Sequence, residues 1–293
     1  MMKTDIKQTT LKNYFLATLL AVSLTACGGD VGGSSDGLSK VKDSDGDGFY
    51  DAIDPAPHDA SNPGDFSTPE KILENPKVKT ALEAAKKHGV PIRADLGHNP
   101  PNLTGYYRQD SGEGRSVATS TGIDAGRLVT GYESRIRTKG ERFERASVYF
   151  DYEALGYVYT KGSILRGEGS NFSIYEPYKL VCTENDSNYV SYGINIRSAT
   201  QDKKSGNFSA GNKIRVRLAS SGTLTSACDE RLTGRARAKW IVYKEAPSHK
   251  ITDVEDFEYM CVDGDKAYIP GEKWKNKEKK SCKCTTDYDV ECE

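Results

Sequence analysis

Five aspartates crowd into twelve residues between Asp43 and Asp54, in the run DSDGDGFYDAID. Counted from Asp43, carboxylates stand at positions 1, 3, 5, 9 and 12, with Gly48 at position 6. Asp43, Asp45, Asp47, Asp51 and Asp54 thus match the oxygen-ligand spacing of a calcium loop, in which position 7, here Phe49, adds its backbone carbonyl. The ion dictates the pattern. Ca2+ takes roughly six to eight hard oxygens, and alternate residues of a tight turn aim their side chains inward. Glycine supplies the sharp turn that a β-carbon would obstruct. Carboxylates packed this closely repel one another unless a cation neutralises them.

Two features separate the loop from a helix–loop–helix hand. Position 12 is Asp54 rather than the longer Glu, and no amphipathic helix precedes Asp43, while Pro55 and Pro57 follow at once. The run DSDGDGFYDAIDPAPHD resembles a thrombospondin type 3 repeat, a family that wraps acidic loops around calcium with little regular structure. The resemblance implies that residues 43–65 hold one structural Ca2+ that stiffens a stalk. Modules outside the cell need affinities on the order of 10⁻⁴ to 10⁻³ M.

The elements ahead of this loop suit export. Lys3, Lys7 and Lys12 precede the apolar stretch YFLATLLAVSLTA, which is too short to span a bilayer. It closes on Leu24-Thr25-Ala26-Cys27, which resembles the lipobox of bacterial lipoproteins. That resemblance implies a signal peptide over 1–26 and a diacylglyceryl group on Cys27, with Gly28 favouring the outer membrane. Residues 27–42, rich in Gly, Ser and Asp, read as a flexible tether. A G-x-S-x-G string within it, Gly33 to Gly37, lacks the strand and helix that a nucleophile elbow requires. Lipidation of Cys27 leaves Cys182, Cys228, Cys261, Cys282, Cys284 and Cys292, an even set that export permits to pair.

The last four belong to a terminal segment, 256–293. Cys261, Asp263-Gly264, Tyr268, Gly271-Glu272-Lys-Trp274, Cys282-Lys-Cys284 and Val290-Glu-Cys292 are similar to the first half of a von Willebrand factor type C module. One cysteine of that pattern, shortly before the C-x-C, is missing here, as is the family's second half. Such a piece has no room for a core and depends on crosslinks. Of the three pairings, Cys282 with Cys284 is geometrically poor; the preferred set is Cys261–Cys284 with Cys282–Cys292, and zinc on all four is the rival. The family's modules serve protein recognition, and Trp274 reads as the small core.

Between loop and module lie two further zones. In the linker 66–98, Thr68-Pro69 and Asn75-Pro76 read as helix starts; after Pro76, Val78, Ala81, Leu82 and Ala85 share a face up to Gly89. From 99 to 247, short alternating runs replace the helical period, among them Glu133–Arg137, Ala146–Tyr152, Tyr189–Arg197 and Lys213–Leu218. The expected fold is mainly β: a central antiparallel barrel or sandwich, with a short helix before it and the disulfide module after it. Cys182 and Cys228 are expected to pair. Glu133, Asp151, Glu153 and Glu168 read as exposed strand residues.

These readings converge on a noncatalytic, membrane-anchored surface or periplasmic lipoprotein that binds a protein partner or acts in adhesion. A lipocalin-like barrel carrying a small apolar ligand is the alternative, and a carboxylate-dependent hydrolase the weaker one. With 41 basic against 42 acidic residues and no basic arm, nucleic acid is not an expected partner.

Overall fold

The computed structural model describes residues 42–62, 64–110, 114–122, 131–150, 155–184, 187–226, 237–254, 257, 260–264, 266–285 and 289–293. Cys27, Cys228, Asp151, Glu153 and the expected strand 127–130 lie outside them. Residues from Leu38 onward form one compact unit.

Two helices open the described chain, α1 (Pro69–Glu74) and α2 (Pro76–Lys87). Each begins with proline behind a side-chain cap: Thr68 Oγ1 accepts from the Lys71 N–H and Asn75 Oδ1 from the Lys77 N–H. Strands follow in chain order: β1 (His98–Asn99), β2 (Gly105–Gln109), β3 (Arg115–Thr119), β4 (Gly131–Lys139), β5 (Arg142–Phe150), β6 (Leu155–Glu168), β7 (Asn171–Glu184), β8 (Ser187–Thr200), β9 (Asn212–Ser221), β10 (Trp240–Lys244) and β11 (His249–Ile251). The terminal module adds β12 (Cys261–Asp263), β13 (Lys266–Tyr268), β14 (Lys273–Lys275), β15 (Ser281–Cys284) and β16 (Val290–Cys292).

The protein is mainly β. Among the described residues, β1 to β11 form one curled sheet, a half-barrel, ordered β11-β2-β4-β5-β6-β7-β8-β9-β10-β3 with β1 parallel to β6. Consecutive neighbours from β4 to β10 make an antiparallel meander; short connections join β4 to β8, and longer ones lead to β9 and β10. One run of chain from Trp240 to Ile251 supplies β10 near one end of the sheet and β11 at the other, with Ser248 bridged to Phe208 between them. That run holds the sheet curled.

Several strands outrun their sequence signals. β6, β7 and β8 each reach 14 residues, because hydrogen bonds continue past the end of the apolar alternation. β6 and β7 pair only from Ile164↔Tyr175 to Glu168↔Asn171, so Pro177, which has no N–H to donate, sits where β7 has left β6.

Apolar residues collect on both faces of the sheet: Ile136, Phe172, Ile174 and Phe208 form a cluster inside the curl, and a larger one covers the outer face. Ile194, Ile196, Ile214, Val216 and Val242 join Val78, Ala81 and Ala85 of α2 in one core. Phe49 and Phe66 belong to the same core, so the aspartate loop is docked on the sheet rather than held off as a stalk. Farther along, Ala146 and Val148 pack with Phe257, Met260, Ala267 and Ile269 of the terminal module.

The alternate residues point inward, and there charged side chains are enclosed rather than solvated. Arg145 pairs with Glu176 at 3.0 Å, and Arg197 and Lys213 pair with Glu245 at 2.8 and 3.1 Å, all largely buried. Tyr132 of β4 meets Ser248 at 2.8 Å and faces both Arg145 and Arg197 across the curl. Burial opposes ionisation of Glu176, yet Arg145, Arg197 and Lys213 outweigh it and hold its carboxyl below its ordinary range.

Candidate metal centre

The aspartate loop is built from short-range backbone turns. Asp51 N–H donates to the Lys42 carbonyl at 2.8 Å, and Ile53 and Asp54 N–H both donate to the Tyr50 carbonyl. Gly46 and Gly48 take φ of +77° and +96°, the left-handed region that glycine enters without penalty. At Gly48 a Cβ would lie 2.1 Å from the Phe66 carbonyl oxygen, because Phe66 crosses directly over it and donates its N–H to the Asp47 carbonyl. Rings of Phe49 and Phe66 meet edge to face at 5.3 Å, seating the turn in the core.

Asp45, Asp47 and Asp54 each spend one oxygen on this turn, and Asp43 spends both. Asp43 accepts from the Gly46 and Gly48 N–H groups, Asp45 from Asp47, Asp47 from Phe49 at 2.7 Å, and Asp54 from Ala56 at 2.8 Å. The second oxygens of Asp45, Asp47 and Asp54 are buried with no hydrogen-bond donor. Asp47 is 0% exposed and Asp54 5%. Ligand atoms of Asp43, Asp45 and Asp47 lie within 4.8 Å of one another. Burial, then repulsion from Asp54, Asp45 and Asp43, pushes the Asp47 carboxyl up to about 7, despite the Phe49 N–H it accepts. Burial raises Asp54 likewise.

A buried anionic oxygen without a donor costs several kcal/mol. Asp43, Asp45 and Asp47 form a cluster that could hold a metal ion, and Asp54 lies near enough to raise Asp47 by its charge. Asp51 lies outside that cluster. Its carboxylate accepts from the Ser44 N–H and Oγ at 2.8 and 2.9 Å and pairs with Lys42 at 3.0 Å, and Lys42 holds its pKa below the ordinary value. Phe49 donates its N–H to Asp47 and buries its ring.

In the terminal module the preferred pairing is present: Cys261–Cys284 and Cys282–Cys292 are disulfides, which leaves none of these thiolates for zinc. Cys182 is also disulfide-bonded. Trp274 stacks on Tyr268 at 3.8 Å and donates to Asp263 at 2.6 Å. Sequence reasoning missed Arg135, nearly buried on β4, which donates to the Ala267 carbonyl at 2.7 Å and pairs with Glu272 at 2.6 Å. Glu133 is likewise fully buried against Arg108 rather than exposed, while Glu168 is exposed as expected.

Comparisons with protein families, with characterised proteins and with solved structures find nothing that matches this chain. Fold and site together define a half-barrel with a carboxylate-lined loop docked on its outer face.

Proposed function

We propose that this protein is a calcium-binding lipoprotein, held to the outer membrane through Cys27, that presents its half-barrel and disulfide module as a noncatalytic binding surface for another protein. The single observation carrying the calcium reading is the set of buried, donorless oxygens on Asp45, Asp47 and Asp54. Asp43, Asp45, Asp47 and Asp54 would hold the ion, and Ca2+ supplies charge neutralisation rather than reaction chemistry there. Because Phe49 and Phe66 share a core with α2 and the sheet, neutralising the loop stabilises the docked N-terminal segment. Calcium is structural in this reading.

The interior favours a binding surface over a carrier. Between Tyr132, Phe172, Arg197 and Glu245 the free volume is about 10 Å³, room for roughly one water, whereas ligand pockets run to several hundred. A carboxylate hydrolase draws no support from Glu133, whose charge is already taken by Arg108. Calorimetric titration of the full chain in detergent micelles tests the proposal. One Ca2+ is expected to bind at about 10⁻⁴ to 10⁻³ M, and Asp47→Asn to abolish it. No heat at millimolar calcium, with a melting temperature unmoved by chelator, would end the calcium reading. A pull-down from intact cells with and without calcium tests the partner.

A further inference from the structure

We infer that a cleft between α2 and the β9–β10 ladder is a binding site for an anionic saccharide, a sugar bearing a carboxylate or a phosphate. The cleft encloses about 480 Å³, within the range of small-molecule pockets. Lys77 and Thr80 of α2 line one wall, and Arg217 and Ser220 of β9 with Lys239 and Trp240 line the other. Three of these are cations, and among the described residues no carboxylate lines it. The wall is therefore positive in a chain whose basic and acidic residues nearly balance, 41 against 42.

The donors divide into two sets. Lys77 Nζ donates to the Leu218 carbonyl and Arg217 to Tyr189 Oη at 3.1 Å, so these two are fixed by the fold. Lys239 Nζ, Ser220 Oγ and the Trp240 indole N–H have no hydrogen-bond partner among the described residues, and all three line the same space. Lys239 and Ser220 are exposed and Trp240 half-buried, and an ammonium, a hydroxyl and an indole N–H borne by residues of one cleft suit a ligand rich in acceptors and negatively charged. A charge-assisted bond to Lys239 would be the strongest of them. The half-buried Trp240 ring packs against the core on one side, and its electron-rich face suits the apolar C–H face of a sugar ring. Backbone geometry holds the wall rigid: Arg217 N–H donates to the Lys239 carbonyl at 2.9 Å, and Lys239 N–H to Ser120 Oγ at 2.7 Å.

Nuclear magnetic resonance of the full chain in micelles, labelled with 15N-tryptophan, tests this directly, since the chain has 2 tryptophans and Trp274 lies in the disulfide module as an internal control. The probes are galacturonate, galactose 6-phosphate, galactose and inorganic phosphate. Acidic sugars are expected to shift the Trp240 indole resonance and leave Trp274 in place, and galactose to bind about tenfold more weakly or not at all. Lys239→Glu, exposed and outside the core, is expected to raise the Kd about tenfold with an unchanged melting temperature. Whether galacturonate or galactose 6-phosphate binds more tightly identifies the anion. Equal shifts with galactose, no shift with either acidic sugar at high millimolar concentration, inorganic phosphate matching the sugar phosphate, or Lys239→Glu binding as wild type would each overturn the assignment.

Discussion

Residues 43–90 and residues 257–293 are both too small for a core of their own, and both borrow the outer face of the same sheet. They are tied down differently. The terminal module has two disulfides and Arg135, whose guanidinium reaches from β4 to the Ala267 carbonyl and to Glu272. The disulfides hold the module together internally, and a desolvated charge joins it to the sheet. The N-terminal segment has no cysteine to pair, and it gathers carboxylates, three of them with a buried oxygen that has no donor. On the proposed function, the first attachment is indifferent to ions and the second follows the concentration of calcium. A small segment can be fixed through strong local bonds or through a site that must be loaded, and the proposal assigns one of each to this chain.

That contrast can be broken from the bottom by attacking the sheet both segments share. Burial pushes the Tyr107 and Tyr178 hydroxyls up to about 12, and raises Tyr175 and Tyr132 as well. Raised pKa values mean that the folded state keeps protons the unfolded state gives up above pH 10. Stability is therefore whole below pH 10 and falls as pH climbs towards 12, on the order of 3 kcal/mol each for Tyr107 and Tyr178. Lys213, depressed to about 8 by burial, works the other way and adds stability between pH 8 and 10.5. Circular dichroism against pH should show a plateau or slight gain to about pH 10 and cooperative loss of both segments beyond it. Separate losses at different pH would deny a common base.

Next in size is the covalent tie. Replacing Cys261 and Cys284 by Ser opens a loop spanning 23 residues in sequence, worth about 3 kcal/mol. Limited proteolysis should then cut within residues 257–293 while the calcium response persists. Arg135→Met should cost about 2 kcal/mol by stranding the Ala267 carbonyl and Glu272, with the same protease-sensitive region. If either change weakens calcium binding, the two attachments are coupled and the contrast fails.

Removing calcium should be milder. Chelation at about ten times the Kd forfeits about 1.4 kcal/mol, read as a drop in melting temperature that reduction neither causes nor prevents. The smallest expected effect sharpens the site itself. Asp54→Asn should abolish the calcium-dependent shift, whereas Asp51→Asn should leave the Kd within about threefold, because Asp51 is occupied by Ser44 and Lys42. Titrations of both variants decide between the sequence spacing and the folded geometry.

Much of the architecture was legible from local patterns. Alternation at Ile214, Val216 and Leu218 marks β9, proline behind Thr68 and Asn75 marks both helix starts, and the face of Val78, Ala81 and Ala85 is the buried one. Less legible was the fate of the opposite strand face. Lys213, Arg215 and Glu176 look like solvent residues, and they are enclosed because the sheet curls and brings acids and bases from distant strands together. Arg135 and Glu133 were misread for the same reason: a charged side chain on a strand has no local mark of burial when its partner is remote in sequence.

Composition and spacing by themselves determined the strand periodicity, the helix caps and the aspartates at alternate positions, since each depends on neighbours a few residues apart. Tertiary structure decided which aspartates converge, where the loop docks and what fills the half-barrel. Asp47 and Asp54 are buried because Phe49 enters a core made with α2 and the sheet, and Asp51 turns away because Lys42 and Ser44 compete for it. Burial and competition for hydrogen bonds are set by what arrives from elsewhere in the chain, and no window of sequence contains them.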